Sequence, residues 1–564
     1  MAEKIMAIIL LMGLATCLST ISAKTFDYNK AWTEIEKLWS DRLPKSALEK
    51  VDSVYVKAVI ENRTDQQIKA LIYHLRTTQY VDEFSSQKAI EKVQSILKTA
   101  SFPASAILHS MTAQLYWSYY QSNRWRFRER TETIEFMQDD IATWDLKTIA
   151  KATIDEYKLS LQNAEGLQKY LINDYPAILM DGKEDLLNPE SITLTRALRP
   201  TLYDFLAHRA LDFYSNDESG LSLPFEEFKV TDSRYFQPPA SFVLMQISTP
   251  DSLSLKYQAI RLYQDLIRFH LNDADPSALV DVNLDRLSFV YHNSELENPE
   301  QMYENALRLE EVRFKDHHVY AQIRSRLAVL YNQLASRYKP ELSEDYRWYY
   351  KDALELCLEA IDKFPDSYGG LICAALKDEI SSPVLHVITE KVNAPDTPFR
   401  ASISAKNVAQ VQLRIYRIPY QVKNSGDYEY NEDWSSNNYK RLRDLLKKKP
   451  NWSTTIAIKN EGDYRNHSYE IALPALSMGN YILIASDDFD NPDQNRNAGY
   501  TTFSCSNLSY LTKSGSSGTL FVADRFGGSP VKGATVKVFN RIYDQNKRKN
   551  VFQLGWTGKT DASG

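Results

Sequence analysis

The sequence predicts a multidomain chain in which an α-helical array is followed by β-sandwich domains. Three observations lead there. The 564 residues are about twice the length at which a single hydrophobic core stops growing. Glycine is sparse in the first 383 residues, with 6, and frequent in the last 181, with 12; it is costly inside helices and useful in tight turns. Charge shifts at the same place: residues 1–383 carry 43 Lys and Arg against 56 Asp and Glu, whereas 384–564 carry 24 against 17.

Composition sets the outer bounds. Hydrophobic residues at 43%, charged at 25% and aromatic at 12% exclude a disordered, collagenous or multi-pass membrane chain. A net charge of −6 disfavours polyanion binding by the whole chain, so no nucleic-acid partner is expected. Four cysteines are too few for a disulfide framework.

Residues 1–23 read as a signal peptide. Lys4 precedes the apolar run Ile5 to Thr16, which is short for a bilayer span but has the length of a secretory apolar region. Ile21-Ser22-Ala23 places a small residue at a cleavage point before Lys24. Export to the periplasm or cell surface follows. Leu14-Ala15-Thr16-Cys17 offers a second route, a bacterial lipobox with threonine where Gly, Ala or Ser is usual; membrane attachment is expected only if Cys17 is lipidated. After cleavage Cys357, Cys373 and Cys505 remain, and at least one stays unpaired within the chain.

Residues 24–380 are expected to form the helical array. Apolar residues recur at helical spacing, as at Ile260, Tyr263, Leu266 and Ile267. Breaks fall at Pro103, Pro176, Pro189, Pro200, Pro238-Pro239, Pro250, Pro276, Pro299 and Pro340, where a missing amide hydrogen stops propagation. Ala353, Cys357, Ala360 and Pro365 match the second helix of a tetratricopeptide unit, and Leu327, Ala328 and Tyr331 its first. The interval between them is about a dozen residues too long for the roughly 34-residue period, which makes the pair divergent, with an insertion around Lys339 to Trp348. Tyr116, Trp117, Tyr119, Tyr120, Trp125 and Phe127 are expected to pack between helices before serving any ligand.

From Val384 the pattern changes to strands, at 384–387, 411–416, 454–458, 468–473, 481–486 and 519–523, punctuated by Pro474, Gly479, Gly527-Gly528 and Gly533. Residues 384–505 form one expected β-sandwich and 515–564 the start of a second, truncated one.

Within that half, Ile471 to Ala485 with Pro474, Gly479 and Tyr481 resembles a strand-turn-strand of macroglobulin domains in the α-2-macroglobulin family. Asn407-Val408 leading into Leu413 to Tyr416 is similar to earlier strands of such a domain. Gly518 to Arg525, Pro530 to Val536 and Gly558 to Gly564 are similar to the start of the next. Trp125 to Arg130, Trp144-Asp145 and Arg199 to Arg209 resemble the helical N-terminal region of large bacterial members. The resemblance implies a fragment of a longer exported endopeptidase inhibitor, with proteases as partners.

Reactive chemistry is not expected in this stretch. Thioester-bearing relatives carry Cys-x-Glu-Gln; Cys357-Leu358-Glu359-Ala360 comes nearest, but alanine supplies no carbonyl, and Cys357 reads as a packing residue. His317-His318 is the only adjacent histidine pair. Without His-Glu-x-x-His or Cys-x-x-Cys it reads as a helix-surface or capping element, so no metal is assigned. Gly515 to Gly518 lacks the Gly-x-Ser-x-Gly elbow, and no phosphate-binding loop occurs. No catalytic or cofactor residue, and hence no enzyme, is expected. The basic stretch Tyr439 to Lys449 sets Leu442, Leu445 and Leu446 on one helix face, expected to pack on a sandwich edge. The alternative function is an envelope or surface interaction module, with the helical array binding an envelope protein or peptide.

Overall fold

A computed structural model describes residues 26–81, 85–128, 140–179, 189–216, 227–418, 442, 444–489, 498–513, 518–545 and 549–564. The signal peptide with Cys17, Gly515 to Ser517, and residues 439–441 and 443 of the basic stretch lie outside them. Helices occupy the N-terminal region and small β-sheets the C-terminal region, with the change at Val384.

The longer helices are α1 (Tyr28–Ser40), α2 (Pro44–Ile60), α3 (Thr64–Val81), α4 (Ser85–Leu97), α5 (Ala104–Ser122), α6 (Leu146–Leu161) and α7 (Pro189–Leu198). They continue with α8 (Leu202–Tyr214), α9 (Leu255–His270), α10 (Ser277–Asn293), α11 (Pro299–Arg313), α12 (Val319–Ala335), α13 (Tyr349–Lys363) and α14 (Tyr368–Ser381). Prolines mark several starts: Pro103 and Pro276 directly precede α5 and α10, and Pro299 opens α11, where a missing amide hydrogen costs nothing. Side-chain caps fix others. Asp145 accepts from Thr148 N at 2.7 Å to start α6, and Ser254 accepts from Tyr257 N to start α9. Thr201 and Asp204 form a reciprocal capping box on α8. Each such cap stabilises by about 1 kcal/mol.

The chain divides into two compact units. One comprises 1–326 with 367–369, the other 327–366 with 370–564, so the division falls inside α12 and the last helices group with the sheets.

In the first unit, Trp32 and Ile35 of α1 pack with Val51, Val54 and Ala58 of α2 and Ala70 and Tyr73 of α3. The Trp32 indole donates to Gln66 Oε1 at 2.8 Å, which satisfies the polar atom this burial would otherwise strand. Helix α5 is buried around most of its circumference, the signature of a central helix. Tyr116, Trp117, Tyr119 and Tyr120 of α5 and Phe127 just after it are buried, as expected, but Trp125 is 79% exposed. Arg286 of α10 is fully buried and donates to the carbonyls of Tyr235 and Gln237. Its guanidinium lies 4.5 Å from the Phe242 ring centroid.

The second unit contains the strands β1 (Val384–Thr389), β2 (Val392–Asn393), β3 (Phe399–Lys406), β4 (Gln410–Ile418), β5 (Trp452–Ala457) and β6 (His467–Leu473). After them come β7 (Gly479–Ser486), β8 (Ala498–Cys505), β9 (Leu508–Lys513), β10 (Thr519–Asp524), β11 (Thr535–Asp544) and β12 (Lys549–Lys559). A three-stranded sheet has the order β1-β3-β6 and a five-stranded sheet β2-β8-β7-β4-β5. Their inward residues, among them Ile403, Val411, Leu413, Ile415, Leu473, Leu483 and Phe503, share one core. On the outer face of the five-stranded sheet, Leu442 is buried with Tyr416, Ile482, Ile484 and Phe489, and Leu445 and Leu446 pack beside it. Those three leucines therefore meet the outer face of the sheet and not an edge, because Tyr416, Ile482 and Ile484 leave an apolar surface there. Two further antiparallel pairs, β9-β10 and β11-β12, complete the described chain. Gly533, at φ +79°, turns the chain before β11, and its amide donates to Thr560 O at 3.0 Å.

Among the described residues, no helix is long and apolar enough to cross a membrane.

Candidate functional site

The most elaborate polar constellation lies in the second unit, on the loop between β5 and β6. Gly462 and Tyr464 both take positive φ, +70° and +56°, a geometry glycine adopts freely and tyrosine only under constraint. That path buries Asp463 to 2% exposure and projects Arg465 toward the segment after α12. Asp463 Oδ1 accepts from Arg465 N at 3.2 Å and lies 2.9 Å from His467 Nε2, so the carboxylate organises its own loop.

Arg465 carries the contact. Its Nη2 donates to Ala335 O at 2.8 Å and Tyr346 O at 2.6 Å, and its Nε donates to Arg347 O at 3.0 Å. The guanidinium sits 4.6 Å from the Tyr338 ring centroid and 4.8 Å from that of Tyr350. Ala335 is the last residue of α12; its carbonyl also accepts from Tyr338 N at 3.2 Å, and the negative end of the helix dipole there favours a cation. Arg347 extends the cluster, donating to Glu344 at 2.9 Å and Glu461 at 3.3 Å, with its Nε 3.6 Å from Asp463 Oδ2. The Glu344 hydrogen bond holds its pKa above the usual arginine value.

A second clamp uses the turn between β3 and β4. Lys406 donates to Glu379 O and Asn407 to Ile380 O, both at 3.0 Å and both near the end of α14. Burial lowers the Lys406 pKa. Between the clamps lies a cleft of about 450 Å³ lined by Asn332, Tyr338, Tyr350, Lys406, Asp463 and His467, among others. Most of its charged groups are engaged with backbone carbonyls or with each other. With Arg465 holding three main-chain carbonyls and Lys406 and Asn407 two more, the arrangement suits a latch.

The helical unit has its own cleft, of about 510 Å³, with Tyr203, Tyr214, Leu262 and Phe269 alongside Lys158, Arg261 and Arg268. Burial pushes the Tyr203 and Tyr214 hydroxyls well above the ordinary phenol value, so both remain neutral donors.

Two groups in this unit have the donor types of a metal site: His208 with Asp281 and Asp285, and Asp275 with His317 and His318. In the first, His208 Nδ1 lies 2.8 Å from Asp204 O, which sets its proton there and leaves the buried Nε2 bare. Burial, then Arg199, lowers the His208 pKa, while burial and the Asp285 charge raise that of Asp281. Arg199 bridges both carboxylates at 3.4 Å and Arg326 reaches Asp285 at 2.6 Å. Two guanidinium groups thus already balance the two acids, and a dication there would be repelled by both.

The second group explains the adjacent histidines. His317 Nδ1 accepts weakly from Val319 N at 3.4 Å at the start of α12, the capping role the sequence suggests. Asp275, which sequence reasoning missed, enters from the turn before α10. It lies 42 residues away and only the fold brings it close. Cys357, Cys373 and Cys505 are buried, with Cys357 inside α13 beside buried Ala353 and Ala360.

Compared with known proteins, the chain matches no family model and no curated protein.

Proposed function

We propose that this chain is the N-terminal scaffold of an exported macroglobulin-like protease inhibitor, holding elsewhere-encoded inhibitory segments in place without reacting itself. One observation carries the reading. The Pro474 to Tyr481 turn leaves β6 in the three-stranded sheet and enters β7 in the five-stranded sheet, the crossover a β-sandwich requires. Its residues have matching physical jobs. Leu473, Leu476 and Tyr481 are buried in the shared core. The Tyr481 hydroxyl donates back to Ser477 O at 2.9 Å, and Arg417 donates to Met478 O across Gly479, where a Cβ would come within 3.0 Å of Arg417 Nε. The pattern that resembles a macroglobulin strand-turn-strand is thus the one that ties the two sheets together.

In this reading the divergent tetratricopeptide-like pair, α12 and α13, meets the first sandwich through the Arg465 latch, and β9 to β12 begin a second sandwich. Incubating a panel of endopeptidases with the longest natural product of the gene and with residues 24–564 tests it. Protection of large protein substrates by the former alone is expected. Inhibition by residues 24–564, or none by either, overturns it.

The helical cleft favours one second reading, an interaction module. Its lining of Tyr203, Tyr214 and Phe269 with Lys158, Arg261 and Arg268, the last paired with Asp265 at 2.7 Å, supports an acidic peptide segment of an envelope partner.

A further inference from the structure

We propose that Asp275, His317 and His318 form a binding site for a divalent transition-metal ion of the zinc type. This inference is independent of the inhibitor reading. The three donor atoms lie within 4.8 Å of one another, and His317 Nε2 is 4.0 Å from Asp275 Oδ1. Tetrahedral zinc with bonds of about 2.0–2.1 Å sets its ligands roughly 3.3 Å apart, so closure needs the side chains to move by well under 1.5 Å. All three are partly or fully solvent-accessible, which leaves them rotamer freedom to do so.

The donor set of one carboxylate and two imidazoles suits the same ion. Imidazole nitrogen favours zinc, copper and nickel over magnesium or calcium. A supporting layer is present as well: Ser277, 2% exposed, donates to Asp275 Oδ1 through both its amide, at 2.9 Å, and its hydroxyl, at 2.5 Å. Such outer hydrogen bonds orient a ligating carboxylate. Three features oppose binding. The N-termini of α10 and α12 are nearby and repel a cation weakly; ligation through His317 Nε2 shifts its proton to Nδ1, breaking the long contact from Val319 N; and ligation through His318 Nε2 breaks its 3.3 Å contact with Ser277 Oγ. All three are small against two nitrogen–metal bonds and one carboxylate–metal bond. Three protein ligands leave open positions for water.

The test uses the metal-free chain without a polyhistidine tag. Titration with Co²⁺, read by visible d–d absorption, is expected to show one equivalent bound, displaced by Zn²⁺ and not by excess Mg²⁺. His318→Ala and Asp275→Asn are each expected to weaken Zn²⁺ binding at least tenfold with unchanged circular dichroism. Zn²⁺ is also expected to shield His317 and His318 of the unaltered chain from diethyl pyrocarbonate, a readout that needs no variant. Absence of Co²⁺ binding, unchanged affinity in both variants, or shielding of other histidines instead overturns the proposal.

Discussion

Arg465 Nη2 donates to the carbonyl of Ala335 at 2.8 Å, so a loop between two strands closes the last turn of a helix 130 residues earlier. The same guanidinium satisfies two more carbonyls and lies against two tyrosine rings.

Arg465→Ala removes a charged donor from three partly buried carbonyls, of which Ala335 O keeps Tyr338 N at 3.2 Å and Tyr346 O keeps Tyr349 N at 3.4 Å, and it removes both ring contacts. A loss of roughly 2–4 kcal/mol is expected, read as a lower urea midpoint and as faster amide exchange in the last turn of α12. Arg465→Lys restores the charge but not the fork, and should recover less than half of the loss.

Arg286 uses the same chemistry deeper in the helical unit. Burial pushes its pKa down to about 9, and its charge is held by carbonyls and the Phe242 ring, not by a bonded carboxylate. Arg286→Ala is expected to cost about 3–5 kcal/mol, measured by chemical denaturation. Arg286→Lys should remain severely destabilised, because one ammonium cannot reach the positions a planar fork spans.

The helical unit should lose stability with alkali. His270, 2% exposed, lies 2.7 Å from both Asp204 and Asp273. Burial alone would lower its pKa, but the Asp204 hydrogen bond and charge, followed by those of Asp273, outweigh it and raise the value above 6.5. The folded chain therefore holds this proton more tightly than the unfolded chain. Its contribution is complete below about pH 6.5 and fades as pH climbs through the raised folded value. Melting temperatures measured from pH 5 to 9 should show this fall, and His270→Gln should flatten it.

Gly369→Ala should destabilise despite alanine's better helix propensity. An added Cβ would lie 2.0 Å from Gln322 N and 2.2 Å from the Ala321 carbonyl carbon, so α14 must shift off α12. Propensity gains about 1 kcal/mol, whereas overpacking against backbone costs about 1–3 kcal/mol or more. A lower unfolding midpoint is the expected result.

Legibility in the sequence followed burial. Strand β7 presents an almost continuous buried run, and its apolar string is plain in the sequence. Strand β3 is not, because two of its inward residues are the small Ala401 and Ala405. Strand β8 carries mostly half-buried residues and two threonines, so it offers little alternation to read. Prolines announced helix breaks because their effect is local, whereas the caps Asp145, Thr201 and Ser254 show only in the folded chain. Asp275, Arg465 and the Asp204–His270 bridge were invisible, since each meets its partners only after distant segments pack. The interval between α12 and α13 was legible as a break in helical spacing around Lys339 to Trp348. Its role was not: Tyr338, Tyr346 and Arg347, which receive Arg465, all belong to that interval.

Because the acceptors of Arg465 are main-chain oxygens, the receiving segment is free to drift in residue identity while the contact survives. Paired substitution across related chains would then leave little trace of it, apart from two positions that must stay aromatic. A junction of this kind can persist through divergence yet stay hidden from any method that looks for coordinated change between side chains.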